Sequence, residues 1–274
     1  MQWRRRRNCY RIRKTIDHSL QLDTIYFIIK RTFRTIWALW CIIPFLIVSI
    51  IVVPFVVFHT WVIGGRKIAL IHCLYWGAPA MLWPMLIFPK IKNRRFIEKN
   101  KGYVIVANHN AHIDIVINPY AFRRFPNVFT FLSKKEVTQI PIFGEIVKRV
   151  AVLVDRKSTI SRKNSYVYMK KVLEEGISVM IYPEGTRNKT EEPLQPFFDG
   201  AFRLSIEMQT PLLVQTIVGI KNISDHRYLF DMCPGRVTCI WDEPIDTTGM
   251  TLHDVPALKE RVRNIMLGHL EKKN

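Results

Sequence analysis

Two short clusters in this 274-residue chain carry side chains able to do chemistry. The first reads Asn108-His109-Asn110-Ala111-His112-Ile113-Asp114 and contains a His-x4-Asp pair. The second reads Tyr182-Pro183-Glu184-Gly185-Thr186-Arg187. An imidazole hydrogen-bonded to a carboxylate through one ring nitrogen is fixed in tautomer. Its other nitrogen is then free to take a hydroxyl proton. In the second cluster, glycine lets backbone approach a ligand closely, and the Arg187 guanidinium forks onto a phosphate. Thr186 adds a hydroxyl donor, and Glu184 is placed to orient the arginine or to accept from a substrate hydroxyl. Together the clusters imply a transferase that activates a hydroxyl and grips a phosphate.

Each cluster also has a plainer explanation. Asn108 and Asp114 suit the capping of a following helix, which by spacing alone is the better explanation. His109, His112 and Asp114 suggest part of a metal site, but no third cluster completes a ligand set, and no metal is expected. Residues 183–187 read equally as a strand-terminating turn with a surface ion pair. Placement tilts the balance toward function, because ligand sites of α/β sheets gather where strands exit.

The elements that must position these groups follow from periodicity. Short apolar strand candidates lie at 103–107, 128–132, 150–154, 178–182, 212–218 and 237–241. Amphipathic helix candidates lie near 113–124, 161–175, 200–208 and 255–270. Their alternation predicts an α/β fold, with a mixed, largely parallel sheet flanked by helices. His109 then follows one strand and the Glu184 cluster another. Lys134 and Lys135 follow a third and Arg156 a fourth, which predicts a basic pocket around His109.

Upstream, residues 36–58 and 68–88 contain no acidic or basic residue other than His72, separated by Gly64-Gly65-Arg66-Lys67. Each run matches the roughly 20 helical residues that cross a hydrocarbon core. A signal peptide fits poorly, since the basic leader and first run are too long and a second run follows. A spanning hairpin or a one-leaflet helix pair remains, with Trp61, Trp76 and Trp83 suited to headgroup depth. The chain is therefore divided into a basic segment 1–35, an apolar helix pair 36–90 serving as anchor, and an α/β domain 91–274.

The formal net charge of +19 would suit nucleic acid. The bases, however, flank the apolar runs: Arg4 to Arg7, Lys30, Arg31 and Arg34 before them, Lys90, Lys92, Arg94 and Arg95 after. That arrangement marks a cytoplasmic membrane face with anionic headgroups rather than nucleic acid. The five cysteines are scattered, which fits a reduced, cytosol-facing domain without a disulfide framework or zinc site.

At this point the motifs converge. The chain resembles the lysophosphatidic acid acyltransferases, the bacterial-type glycerolipid acyltransferases. Four blocks stand in that family's order: Asn108-His109-x4-Asp114, then Val152-Leu153-Val154-Asp155-Arg156, then Tyr182 to Arg187, then Pro211 opening an apolar strand. Ser133-Lys134-Lys135-Glu136 and Pro141-Ile142-Phe143-Gly144 are similar to the segment between the first two blocks. The apolar pair looks like the membrane anchor of such enzymes. The likeness covers most of residues 100–220. One departure is Phe197-Phe198-Asp199-Gly200, where family members often carry Phe-Lys-x-Gly.

The resemblance implies that His109, oriented by Asp114, is general base on the free hydroxyl of lysophosphatidic acid, and that the product is phosphatidic acid. The acyl donor would be a thioester, acyl-CoA or acyl carrier protein, with no cofactor. Arg156, Glu184, Gly185, Thr186, Arg187 and Lys134 would hold the acceptor. The alternatives are another acceptor (glycerol-3-phosphate, another lysophospholipid or an aminolipid), or a non-catalytic protein that binds anionic membranes.

Overall fold

The structure, a computed structural model, describes residues 2–62, 64–155, 157–225, 228 and 230–272, with side chains from residue 22 onward. It opens on one helix, α1 (Gln2–Val62), which carries the basic leader and the first apolar run without a break. Pro44 and Pro54 lie inside it, and it ends before Gly64 and Gly65, both at positive φ. Among the described residues, the stretch 22–62 of α1 is the one helix long and apolar enough to cross a bilayer.

The second apolar run behaves differently from the expected anchor helix. It forms α2 (Arg66–His72), a π-helical turn (Cys73–Gly77) and α3 (Ala78–Leu82), and helix then gives way to β1 (Ile87–Lys92). The boundary drawn at residue 90 therefore falls inside a strand. The reason is pairing: β1 docks in parallel register along β7 (Gly235–Trp241), and its side chains alternate between buried and exposed.

The remaining strands are β2 (Val104–Ala107), β3 (Phe129–Lys134), β4 (Val152–Val154), β5 (Ser178–Ile181) and β6 (Leu212–Val218). The sheet runs β1-β7-β6-β2-β5-β3-β4, parallel except where β6 meets β7. The mixed, largely parallel sheet expected from the sequence is present. β2 and β6 are buried along their whole length, as central strands covered on both faces should be.

The helices sort into two layers. α4 (Asp114–Phe122) packs on α3, and α5 (Phe143–Val150) packs on α1 and α2. On the other side, α7 (Gly200–Glu207) packs on α8 (Val255–Glu271), and the Lys170–Glu207 ion pair, 2.6 Å, joins it to α6 (Thr159–Glu174). This is what right-handed crossovers require. The chain leaves β2 in one direction along the sheet and leaves β5 in the other, so their loops part above the gap between two neighbouring strands.

α1 is fixed to the α/β domain by charge as well as by packing. The Arg34 guanidinium donates from Nε and Nη2 to Asp231 (2.6 and 2.5 Å) and to the carbonyls of Asn222 and Ile223. Arg31 adds a bond of 2.9 Å to the same carboxylate. These cations are therefore occupied within the protein rather than free for headgroups. Asp231 is buried, and its arginine partners hold its carboxyl below the usual range against the opposing effect of burial. Removing one member of a buried pair strands the other. Asp231→Ala should lower unfolding stability in detergent by about 3 kcal/mol. Glu98→Ala, which breaks the exposed pair with Lys101, should cost less than about 1 kcal/mol. Equal thermal shifts for the two would contradict this account of how the helix is held.

Candidate active site

β2 and β5 are neighbours in parallel register, with Val106 opposite Ile181. The loop after Ala107 and the loop after Ile181 therefore leave the same edge side by side, which brings the two chemical clusters together. Asn108 starts the first loop by stapling it to β6. Its side-chain amide donates to the Ile217 carbonyl (3.0 Å) and accepts from the Ile217 N–H (2.8 Å). That role replaces the helix cap considered for it.

His109 is held on three sides. Its Nδ1 lies 2.9 Å from Asp114 Oδ2. Its ring stacks on Tyr182, with centroids 4.0 Å apart and planes 14° from parallel. Its backbone N–H donates to Glu184 Oε1 (2.9 Å), and its carbonyl accepts from the Asn188 N–H (2.8 Å). Nε2 has no protein partner among the described residues. Asp114 is fully buried and is the first residue of α4. Its Oδ2 also accepts the N–H groups of Asn110 (2.9 Å) and Ala111 (3.0 Å). These donors precede the helix, so the carboxylate organises the loop rather than capping α4. Tyr182 accepts from Asn118 (2.7 Å), and burial together with the charge of Asp114 pushes its phenol well above the usual range. It therefore serves as a neutral wall beside the imidazole.

The second cluster divides into different tasks. Glu184 is 2% exposed. One carboxylate oxygen accepts from the His109 N–H and the other from the Gln195 N–H (2.9 Å). With one backbone N–H bound at each oxygen, Glu184 joins two loops. Burial raises its carboxyl, and the two N–H donors counteract the rise. Gly185 has φ +69°, and a Cβ there would stand 2.8 Å from the Phe198 ring. Thr186 is exposed, with Oγ1 at 3.4 Å from Gln195. Arg187 donates to His112 Nε2, and partial burial lowers its pKa against the opposing charge of Asp114. The sequence reading gave His112 no role, yet it aims the one guanidinium of this loop. The His-x2-His spacing flagged it, and only its meeting with Arg187 defines its task.

Lys134 is exposed at the end of β3. Because Phe131 pairs with Met180 and Ile105 with Met180, Lys134 stands level with Asn108 two strands away. It shares the edge with His109 but makes no contact with the cluster. Arg156 lies outside the described residues. An apolar cavity of about 70 Å³ sits against α4, beside this edge. Ile115 and Val116, directly after Asp114, line it, with Val52, Leu70, Phe131 and Ile146.

Residues 89–218 match the protein-family model described as Acyltransferase. The chain is 28% identical over 186 residues to the human 1-acyl-sn-glycerol-3-phosphate acyltransferase alpha, covering 65% of this chain and 62% of that one. It is 25% identical over 236 residues to the human beta enzyme, covering 84% and 80%. The crystal structure of the 1-acyl-sn-glycerophosphate acyltransferase of Thermotoga maritima superposes with a TM-score of 0.73 at 18% identity, covering 87% of this chain and 95% of that one. That likeness shows a shared fold. A sheet of this kind, with a His-x4-Asp pair at its carboxyl edge and this family match, defines an acyltransferase. By sequence the chain is similar to enzymes named 1-acyl-sn-glycerol-3-phosphate acyltransferases, and its residues 89–218 carry the match to the Acyltransferase model.

Two outcomes follow from the geometry. Asp114→Asn keeps the shape but removes the negative charge that orients His109 and stabilises its imidazolium, so acyl transfer should fall about a thousandfold or more. A rate within tenfold of wild type would show that Asp114 does not govern His109. Gly185→Ala places a side chain in the left-handed region at a cost of roughly 1–2 kcal/mol. It should impair transfer measurably, whereas the same change at Gly268, where an added Cβ meets no atom within 4 Å, should not.

Proposed function

We propose that this protein transfers a fatty acyl group from a thioester to the free hydroxyl of lysophosphatidic acid, forming phosphatidic acid at a membrane surface. The observation that carries the reading is the pose of His109. Its Nδ1 is bound to a buried carboxylate, its ring is clamped, and its Nε2 is free on the loop beside Arg187.

In this reading Nε2 takes the acceptor's hydroxyl proton as the oxygen attacks the thioester carbonyl. The C–S bond then breaks, and the imidazolium returns the proton to the departing thiolate. Asp114 stabilises the imidazolium in between. Arg187 and Thr186, with Lys134 and Arg156 from neighbouring strand ends, hold the acceptor's phosphate. The apolar cavity beside α4 receives acyl chain. Neither a metal nor a covalent acyl-enzyme takes part, and the donor is acyl-CoA or acyl carrier protein. α1 keeps the domain on the membrane, with the catalytic edge on the cytoplasmic side.

The acceptor assignment is tested by kinetics. Arg187→Ala should raise KM for lysophosphatidic acid by roughly ten- to a hundredfold, as loss of charge-assisted bonds of about 1.5–3 kcal/mol implies. KM for the donor should stay within about twofold. Equal rises in both would remove Arg187 from the phosphate. The cavity is tested separately. Val116→Trp fills it and should shift the product profile toward shorter acyl chains, and an unchanged profile would place the chain elsewhere.

A further inference from the structure

Arg94, Arg123 and Arg124 meet at the sheet edge opposite the catalytic loops. β1 is parallel to β7, and β7 is antiparallel to β6, so β1 runs back from the level of the catalytic loops, its last residue Lys92 in line with Asn108, heading for the edge where β2 begins. The 3-10 turn Arg94–Phe96 follows it there. α4 starts at Asp114 on the catalytic edge and, nine residues later, delivers Arg123 and Arg124 about 13 Å away. Arg124 Nη1 donates to the carbonyls of Arg94 (3.0 Å) and Arg95 (2.9 Å), locking the end of α4 onto the turn. The Arg123 guanidinium lies 4.2 Å from the centre of the Tyr120 ring.

The cluster has no counter-charge of its own. Among the described residues, none of the three arginines is in an ion pair. The Nε atoms of Arg94 and Arg123 are covered and have no hydrogen-bond partner. Burial and the charges of Arg123 and Arg124 lower the pKa of Arg94. Three cations gathered without an acid destabilise one another unless an anion enters from outside.

The surroundings indicate which anion. Phe125, next in the chain, is 63% exposed, and its ring meets Tyr75 edge-on at 5.9 Å. Trp76 is 70% exposed. Tyr75 and Trp76 lie in the apolar stretch that returns from the membrane helix. Arginine beside exposed aromatic rings, next to an apolar anchor, matches the headgroup layer of a bilayer. We propose that Arg94, Arg123 and Arg124 bind the phosphate of an anionic membrane lipid, at a site separate from the catalytic loops. A soluble phosphate ester shares the chemistry, but it has no use for the aromatic rings.

The test is native mass spectrometry of the full-length protein in neutral detergent, titrated with phosphatidylglycerol or phosphatidylcholine. Wild type and Arg187→Ala should both retain phosphatidylglycerol in preference to phosphatidylcholine. Arg94→Gln/Arg123→Gln should weaken that retention on the order of tenfold while keeping acyl transfer. Arg123→Gln alone, at a half-exposed position, should give a smaller loss and serves if the double variant does not fold. Unchanged retention in these variants would overturn the proposal. So would loss of retention in Arg187→Ala alone, which would place the lipid in the catalytic site. Displacement by equimolar sn-glycerol 3-phosphate would overturn the lipid as the source of the phosphate.

Discussion

The buried Glu184 carboxylate is the constraint on which the rest of the site depends. It spans the gap between two parallel strands by accepting the N–H of His109 with one oxygen and that of Gln195 with the other. A buried carboxylate is costly unless its oxygens are matched with donors, and here the donors are backbone groups that cannot move independently of the fold. His109 thereby becomes part of the β5 loop as well as of its own. Asp114 repeats the device at shorter range, gathering two amides and the imidazole on one oxygen. The two acids differ in task. Glu184 fixes where the histidine is, and Asp114 fixes which way its ring faces.

The sheet supplies the distance between the groups that must cooperate. Parallel pairing of β2 with β5 sets the two loops side by side, and crossovers in opposite directions open a crevice between them. The same topology sends α4 from the catalytic edge to the far edge, where it delivers the arginine cluster. One helix thus joins the reacting centre, the wall of the apolar cavity and a second cationic patch. α1 lies across this layer and is held by Arg34 and Asp231. The long apolar helix and the reacting centre are therefore placed relative to each other by packing and by this ion pair.

Much of this was legible in the sequence because it depends on local pattern. β6 was expected at 212–218 and is found there, since a mostly apolar run rich in β-branched residues and bounded by Pro211 and Gly219 has little freedom. The His-x4-Asp contact was legible from closeness in sequence, and it forms across a loop that Asp114 itself gathers rather than along a helical turn. β1 was not expected: Pro89, Lys90 and Lys92 break the apolar pattern, and the strand survives only at a sheet edge beside β7. α5 was not among the helix candidates: it is only 8 residues long and begins next to Pro141 and Gly144, neither of which favours helix. The second apolar run read as one helix of an anchoring pair, spanning or confined to one leaflet, because composition does not reveal that its end would be drawn into the sheet. The contacts that Glu184 and His112 make were not legible, for a shared reason. Their partners, the Gln195 amide and Arg187, come from residues that only the fold brings near.

The central claim is that a carboxylate-oriented His109 removes the hydroxyl proton of a phosphorylated lipid acceptor. The most direct measurement is mass-spectrometric product analysis of the purified protein with acyl-CoA and a panel of acceptors, with released thiol followed in parallel. The account predicts phosphatidic acid from lysophosphatidic acid, one thiol per product, and loss of both when His109 is replaced by glutamine. Undiminished phosphatidic acid from the His109→Gln protein, or turnover only with acceptors that lack a phosphate, would contradict it.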